Sequence, residues 1–174
     1  MKFTQQALLN APIDQVDLEQ WMFSLSDAEY QQAARAHRAA GTFVDNGVRG
    51  TVNVESMGGT LIIQHYREVQ AEPSYVEMFS ERSRAYLFHL VPVTVQVRWT
   101  VQAAARDTTS STFGCTVEVT LPPVLRVLIG MMWRHFIGRH TDEETRGFAA
   151  DINRKLTARR HHAASIPEAR VRVS

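Results

Sequence analysis

Residues 48–71 read VRGTVNVESMGGTLIIQHYREVQA, the pattern of two β-strands joined by a tight turn. The two central glycines, Gly58 and Gly59, can adopt the positive φ angles that a two-residue hairpin turn requires. Such a turn fixes the pairing of the strands and places Val52 opposite His65. Because side chains alternate between the faces of a strand, this register divides the whole hairpin into two faces.

One face of this hairpin is the more apolar, and we predict that it packs against the core. It carries Val48, Gly50, Val52, Val54, Leu61, Ile63, His65, Arg67 and Val69. Polar residues dominate the other face, with Ile62 and Tyr66 as exceptions. The prediction therefore places the imidazole of His65 and the guanidinium of Arg67 inside the protein, which indicates an enclosed site.

The composition is typical of one soluble globular domain: 174 residues, 44% hydrophobic and 21% charged. A net charge of +1 gives no strong field for nucleic acid, so we expect no nucleic-acid partner. Cys115 is the single cysteine, and the N-terminus lacks the apolar segment of a signal peptide, so a cytoplasmic location is expected. Charged residues interrupt the apolar stretch 121–137, so we expect no stable membrane insertion.

Before the hairpin, the pattern predicts a strand at residues 2–10 and two short helices. Pro12 suits the first turn of the first helix, and Ser26 with Glu29 forms a capping box for the second. The apolar spacing of the second helix continues to His37, with a C-terminal cap at Gly41. The inner positions of the first helix are Leu18, Trp21, Met22 and Leu25.

After the hairpin, a reversal at residues 72–74 pairs Arg67 with Met78, so the inner face continues through Val76, Met78 and Ser80. Residues 91–101 alternate strictly between apolar and polar side chains, the strongest strand signal in the chain. A loop of three or five residues, or a bulge, then connects the next strand.

The C-terminal part is predicted to be helical. Pro122 ends the sheet, residues 124–137 form an apolar helix, and Gly138 interrupts it. A second capping box at Thr141 begins the last helix, at about residues 142–160. This amphipathic helix supplies the cover that a sheet with one apolar face needs.

This element order resembles the START/Bet v 1-like superfamily, which includes SRPBCC and polyketide cyclase-like proteins. Residues 8–16, LLNAPIDQV, look like the strand-to-helix entry of that superfamily, and the resemblance covers residues 2–158. Asp17 stands where the superfamily has tryptophan, and the apolar helix at residues 124–137 is an addition. The resemblance implies an α+β helix-grip fold, in which a curved antiparallel sheet wraps around a long C-terminal helix.

Residues 161–174 lack periodicity, so we expect a mobile basic tail there. The resemblance implies a single helix-grip domain over residues 1–160. Between the sheet and the terminal helix it implies a deep cavity for hydrophobic ligands such as lipids, sterols, polyketides or aromatic compounds. The side chains predicted to contact such a ligand are Val52, Val54, Ile63, Met78, Ser80, Val97, Trp99, Met132, Phe136, Phe148 and Ile152. Ordinary core packing is the alternative for each of them.

His65 and Arg67 are the candidate catalytic residues. An imidazole with a near-neutral pKa can act as a general acid or base, or donate to a ligand carbonyl, whereas a core histidine only bonds a neighbour. A buried Arg67 needs a partner: a ligand anion, an internal carboxylate such as Glu118 or Glu77, or water at the cavity mouth.

Two functional hypotheses follow. The protein either binds a small hydrophobic or aromatic molecule, or it is a cofactor-independent cyclase, dehydratase or isomerase acting on a carbonyl substrate. In the second, His65 moves a proton and Arg67 stabilises the oxyanion. The residues do not decide between them. The apolar helix at residues 124–137 must also be covered, either by its own cavity or by a second subunit in a homodimer.

No metal site and no cofactor are expected. The chain has no HExxH, P-loop, GxGxxG or GxSxG motif. His135 and His140 are separated by about 140° around a helix, so they do not share a face.

Overall fold

The computed structural model describes residues 1–165, with all side chains except those of residues 124–126, 128, 129, 132, 163 and 164. Seven strands, three α-helices and a short 3₁₀-helix make up this part of the chain. In chain order they are β1 (Lys2–Leu9), the 3₁₀-helix (Ile13–Gln15), α1 (Leu18–Ser24), α2 (Asp27–Ala33), β2 (His37–Asp45), β3 (Val48–Met57), β4 (Thr60–Glu72), β5 (Tyr75–Leu87), β6 (Val91–Ala105), β7 (Ser111–Thr120) and α3 (Pro123–Ser165).

The strands form one antiparallel sheet in the order β1-β7-β6-β5-β4-β3-β2. The first strand therefore lies beside the last, and the other neighbours follow each other along the chain. The curved sheet holds α3 on its inner side, with α1 and α2 beside it. The core between these layers contains Phe113, Phe148 and Tyr30, all fully buried. The predicted α+β helix-grip architecture is confirmed.

The β3–β4 hairpin has the predicted turn and register. Gly58 and Gly59 have φ angles of +55° and +74°, and Val52 pairs with His65. The predicted orientation of its faces is wrong, however. The face that packs inward is the more polar one: Thr51, Asn53, Glu55, Thr60, Ile62, Gln64 and Tyr66 are buried. His65 is exposed on the opposite face.

The pairing of β4 with β5 also differs from the predicted register, by one residue near Arg67. Met78 lies opposite Glu68, and Arg67 lies opposite Phe79. A β-bulge beside this pair shifts the register, and a shift of one residue moves every side chain to the other face. Met78 and Ser80 are therefore buried as predicted, but they do not share their face with His65.

The second helix is shorter than predicted, and a strand was missed. The Ser26–Glu29 capping box is present, but α2 ends at Ala33 and His37 begins strand β2. The end of α2 lies directly against α3: a Cβ added at Gly147 would stand 2.0 Å from the Ala33 carbonyl oxygen. This close approach is a tertiary contact, so the helical spacing of residues up to His37 could not predict where α2 ends.

The helix α3 is continuous, so the predicted break at Gly138 is wrong. Glycine costs only about 1 kcal/mol inside a helix. Thr141 does not cap a new helix, because its hydroxyl donates to the Ile137 carbonyl at 2.9 Å within α3. The helix ends at Ser165, beyond the predicted end at residue 160, and residues 166–174 of the predicted tail lie outside the described residues.

Among the side chains that the structure describes, the first part of α3 is buried on one side and exposed on another. Trp133 and Ile137 are buried, whereas Val127 and Met131 are 86% and 88% exposed. Among the described helices, none is long and apolar enough to cross a bilayer. The connection between β6 and β7 contains five residues, Ala105 being paired with Ser111, which is one of the two predicted lengths.

Candidate functional site

A cavity of about 50 Å³ lies between the inner face of β3, β4, β6 and β7 and the facing side of α3. Its walls are largely apolar and comprise Met57, Ile62, Tyr66, Val97, Trp99, Val117, Val119, Trp133, Phe136 and Ile137. Asn53, Glu55, Thr60, Gln64, His140 and Glu144 add polar groups. At about 10–15 Å³ per water, this space has room for a few water molecules.

The predicted ligand-contacting residues fall into four groups. Val97, Trp99 and Phe136 line the cavity. Met78, Ser80, Phe148 and Ile152 are buried but do not belong to its lining. Val52, Val54 and Ile63 lie half-buried on the outer face of the hairpin, so their predicted place in the cavity is wrong. The side chain of Met132 lies outside the described residues.

His65 and Arg67 do not reach the cavity. His65 is exposed on the outer face of β4. The Arg67 guanidinium donates to the Asp45 carboxylate at 2.7 Å and to its carbonyl at 3.2 Å, with 45% of the Arg67 side chain exposed. Arg67 thus lies at the surface with Asp45 as its partner, so its predicted burial is wrong. The cyclase hypothesis assigned proton transfer to His65, and His65 does not line the cavity.

Four other side chains converge at the inner end of the site: His37, Glu55, His140 and Glu144, which we call the His/Glu cluster. They come from β2, β3 and α3, and all four are buried. One nitrogen or oxygen from each lies within 4.8 Å of those from the others. His140 Nε2 is 3.4 Å from Glu55 Oε2, and His37 Nε2 is 3.6 Å from Glu144 Oε1.

Tyr30 of α2 holds two members of the cluster. Its hydroxyl donates to Glu55 Oε1 at 2.8 Å, and its carbonyl oxygen lies 2.6 Å from His37 Nδ1. Its ring stacks on the His37 imidazole, with centroids 3.8 Å apart. Burial and the neighbouring Glu55 raise the pKa of Tyr30, so its hydroxyl stays protonated and remains a donor.

Glu55 and His140 form a buried ion pair. Burial alone would raise the pKa of Glu55, but the facing His140, together with His37 and the Tyr30 hydroxyl, lowers it. Burial would lower the pKa of His140, but the charge and hydrogen bond of Glu55 raise it above its usual value. At neutral pH the cavity wall therefore carries an imidazolium next to a carboxylate.

The nearby thiol of Cys115 lies in an environment that makes it unreactive. It is fully buried, and the Trp99 indole donates to its sulfur at 3.3 Å. Burial raises the pKa of the thiol well above its usual value. Because the thiolate is the reactive form, this arrangement fits a core residue and not a nucleophile.

Several buried polar atoms lack a hydrogen-bond partner within the described residues. They are His37 Nε2, Thr51 Oγ1, Gln64 Oε1 and His140 Nδ1. An unsatisfied buried polar group costs about 1–3 kcal/mol, so such atoms are rare in folded proteins. Gln64 and His140 line the cavity, and His37 belongs to the adjoining His/Glu cluster, so three of these four atoms lie at this end of the fold.

Sequence reasoning missed the whole His/Glu cluster. His37 was predicted to lie in a helix, and Glu55 was placed on the outer face of the hairpin. His140 and Glu144 have the four-residue spacing of one helix face, but the predicted break at Gly138 placed His140 outside the last helix and concealed this signal. Nothing in the sequence links that pair to residues about a hundred positions earlier.

No protein-family model matches the chain, and no curated protein matches its sequence. Solved structures with the same fold do match. The Zhui aromatase/cyclase from Streptomyces sp. R1128 is 10% identical, with a TM-score of 0.61 over 90% of this chain and 95% of that one. A START superfamily protein from Mycobacterium smegmatis is 11% identical, with a TM-score of 0.53 over 88% and 98%.

Ara h 8.0201 is also 11% identical, with a TM-score of 0.50 over 91% of this chain and 98% of that one. At such low identity the likeness concerns the fold alone. The chain has the helix-grip fold of the START/Bet v 1-like superfamily.

Proposed function

We propose that the protein binds a small hydrophobic or aromatic molecule in the cavity between the sheet and α3. The main support for this proposal is that the walls of the cavity are largely apolar, whereas buried polar groups line its inner end. Val97 and Val119 of the sheet face Trp133 and Ile137 of the helix across the cavity. Burying the apolar surface of a ligand there contributes about 25 cal/mol per Å².

The polar end gives the ligand its orientation. Gln64 Oε1 lines this end and is a buried acceptor without a partner in the described part of the chain. A ligand hydroxyl or amide N–H would donate to it and remove the cost of its burial. We therefore expect an apolar molecule with one polar end, and not a pure hydrocarbon.

A ligand with the size of one or more aromatic rings needs more room than about 50 Å³. The contact that closes one end of the cavity is small: the Phe136 ring packs against the turn at Gly58, where an added Cβ would stand 2.5 Å from it. Phe136 is also 38% exposed. We propose that the ligand enters here, as the hairpin turn and α3 move apart.

The test is a titration with an apolar fluorescent dye such as anilinonaphthalene sulfonate, followed by competition with fatty acids and aromatic polyketides. Val97→Phe fills the cavity from its wall and should weaken dye binding about tenfold or more, which is roughly 1.4 kcal/mol. Val54→Phe makes the same change on the outer face of the hairpin and should leave binding unchanged. Failure of the wild-type protein to bind any of these compounds at high micromolar concentration would refute the proposal.

A further inference from the structure

The His/Glu cluster combines two imidazoles and two carboxylates in a buried space, with one coordinating atom from each within 4.8 Å of the others. We propose that His37, Glu55, His140 and Glu144 bind one divalent first-row transition-metal ion, with Zn²⁺ as the simplest fit. Glu55, His140 and Glu144 also line the polar end of the cavity, but metal binding would depend on their ligand atoms and not on an apolar ligand.

The distances within the cluster suit a tetrahedral ion. Zinc binds imidazole nitrogen and carboxylate oxygen at about 2.0–2.2 Å, which places neighbouring ligand atoms of a tetrahedron about 3.3–3.6 Å apart. The two measured separations, 3.4 Å for the His140–Glu55 pair and 3.6 Å for the His37–Glu144 pair, agree with this spacing. Small side-chain movements would bring all four atoms to one ion.

The donor set selects the class of metal. Calcium and magnesium prefer shells made of oxygen, and magnesium keeps several waters. Two imidazoles in a set of four ligands instead favour zinc, iron, copper or nickel. Four protein ligands also complete the shell of a structural zinc site, so the ion would tie α3 to β2 and β3.

The orientation of His37 is the strongest single argument. Its Nδ1 lies 2.6 Å from the Tyr30 carbonyl oxygen, which can only accept, so Nδ1 carries a proton and donates. In the neutral imidazole Nε2 is then a bare lone pair, and it faces the Glu144 carboxylate at 3.6 Å. Nε2 has no hydrogen-bond partner in the described residues, and the side chain is fully buried.

Two acceptors that face each other in a buried space need a cation between them. A metal-bound histidine usually donates its other ring N–H to a backbone carbonyl or a carboxylate, and the Nδ1 of His37 makes this bond to the Tyr30 carbonyl oxygen. A second proton on His37 is the competing explanation. It would leave its N–H 3.6 Å from the carboxylate, beyond good hydrogen-bond distance.

The other ligands are also held in place. The Tyr30 hydroxyl binds Glu55 through Oε1, which leaves Oε2 free to face His140. His140 and Glu144 lie one turn apart on α3. Among the described residues, the ion pairs of the two buried carboxylates involve only these two histidines and no lysine or arginine. A divalent ion would displace the proton of the His140 imidazolium and balance the charges of the two buried carboxylates.

The experiment uses the full chain without a histidine tag, stripped of metal with a chelator. Co²⁺ is titrated as an optical probe, and Zn²⁺ is then added as a competitor. We expect one equivalent of Co²⁺ with the intense visible absorption of a tetrahedral site, displaced by one equivalent of Zn²⁺. Zn²⁺ should also raise the melting temperature, because it binds only the folded form.

Replacing a residue that only supports a metal ligand lowers metal affinity by about 10–100-fold. Glu144→Gln changes a ligand itself, so it should weaken Co²⁺ binding by at least as much. Glu143→Gln is the matched control, because Glu143 bonds Arg35 at the surface and lies outside the cluster. Replacing the exposed pair His161 and His162 should also leave binding unchanged. Circular dichroism checks that each variant is folded.

The proposal is overturned if the wild-type protein binds neither ion at high micromolar concentration. Octahedral or substoichiometric Co²⁺, equal loss in Glu144→Gln and Glu143→Gln, or loss on replacing His161 and His162 would overturn it as well. If Glu144→Gln does not fold, the stoichiometry and spectrum of the wild-type protein decide the question. If the protein fails to bind the apolar dye, the Co²⁺ and Zn²⁺ titrations still test the metal site.

Discussion

Replacing Glu55 by glutamine tests the buried ion pair most severely. The substitution keeps the shape of the side chain and an acceptor for the Tyr30 hydroxyl, but it removes the charge that faces His140 at 3.4 Å. Removing one partner of a buried ion pair costs about 3–5 kcal/mol, because the other charge stays buried and unpaired. For a chain of this size, each kcal/mol shifts the melting temperature by about 2–4 °C.

Glu55→Gln should therefore lower the melting temperature by about 6–20 °C at neutral pH. The assay is thermal unfolding followed by circular dichroism, with a chelator present so that a bound metal does not contribute. The matched control is Asp45→Asn, which breaks the exposed pair with Arg67 and should cost less than about 1 kcal/mol. Equal stability of the two variants would refute the buried ion pair.

The pH dependence of the same variant gives a second readout. The pKa of Glu55 is lowered by folding, so its contribution is present above 4.5 and is lost as the pH falls. The pKa of His140 is raised, so its contribution is present below 6.5 and is lost as the pH rises through the raised value. The difference between wild type and Glu55→Gln should thus be largest between pH 4.5 and 6.5 and smaller on both sides. A difference that does not change with pH would contradict this assignment.

Three further predictions concern parts of the fold outside this pair. Burial opposes ionisation of Glu29, but hydrogen bonds from a backbone N–H and from two cationic side chains of α3 lower its pKa to about 2. Its contribution should therefore disappear as the pH falls from 4.5 towards 2, and urea unfolding of Glu29→Gln should lack this loss. Gly147→Ala should destabilise the protein by several kcal/mol in thermal unfolding, because the new Cβ would stand 2.0 Å from the Ala33 carbonyl oxygen. Gly41→Ala, where no atom lies within 4 Å, should be nearly neutral, and similar melting temperatures for the two variants would count against the α2–α3 packing. Cys115 should react with a thiol reagent at least about a hundredfold faster in urea than in the native protein, and rapid labelling of the native protein would show that the thiol is not buried.

The local geometry of the hairpin could be predicted from the sequence because it depends on two adjacent residues. Gly58 and Gly59 supply positive φ angles that other residues adopt at a cost, so they specify the turn and hence the register of β3 and β4. The same local reasoning identifies the Ser26 capping box, which the structure contains. The helix-grip architecture follows from the order of such elements.

The inward face of the hairpin could not be predicted by counting apolar residues. Val52 and Ile63 pack between neighbouring side chains on the half-buried outer surface, where β-branched residues fit well. Asn53 and Gln64 lie inside because they line the polar end of a cavity. The inward face of this hairpin is thus the more polar one, the reverse of the usual arrangement, and the β4–β5 register also differs by one residue from the predicted one.

The His/Glu cluster could not be predicted for a different reason. Its members lie at positions 37, 55, 140 and 144, and they meet only after β2 pairs with β3 and α3 packs across the sheet. No local pattern specifies such contacts. The spacing of His140 and Glu144 places them on one side of α3, but the predicted break at Gly138 concealed this relation.

The most direct test of the cavity as the functional centre compares two adjacent residues of β4, since Gln64 faces the cavity and His65 faces outward. The measurement is the dissociation constant of an apolar fluorescent probe or recovered ligand for Gln64→Ala and His65→Ala. We predict that binding changes several-fold in Gln64→Ala and stays at the wild-type value in His65→Ala. A loss of binding in His65→Ala with no change in Gln64→Ala would contradict the account.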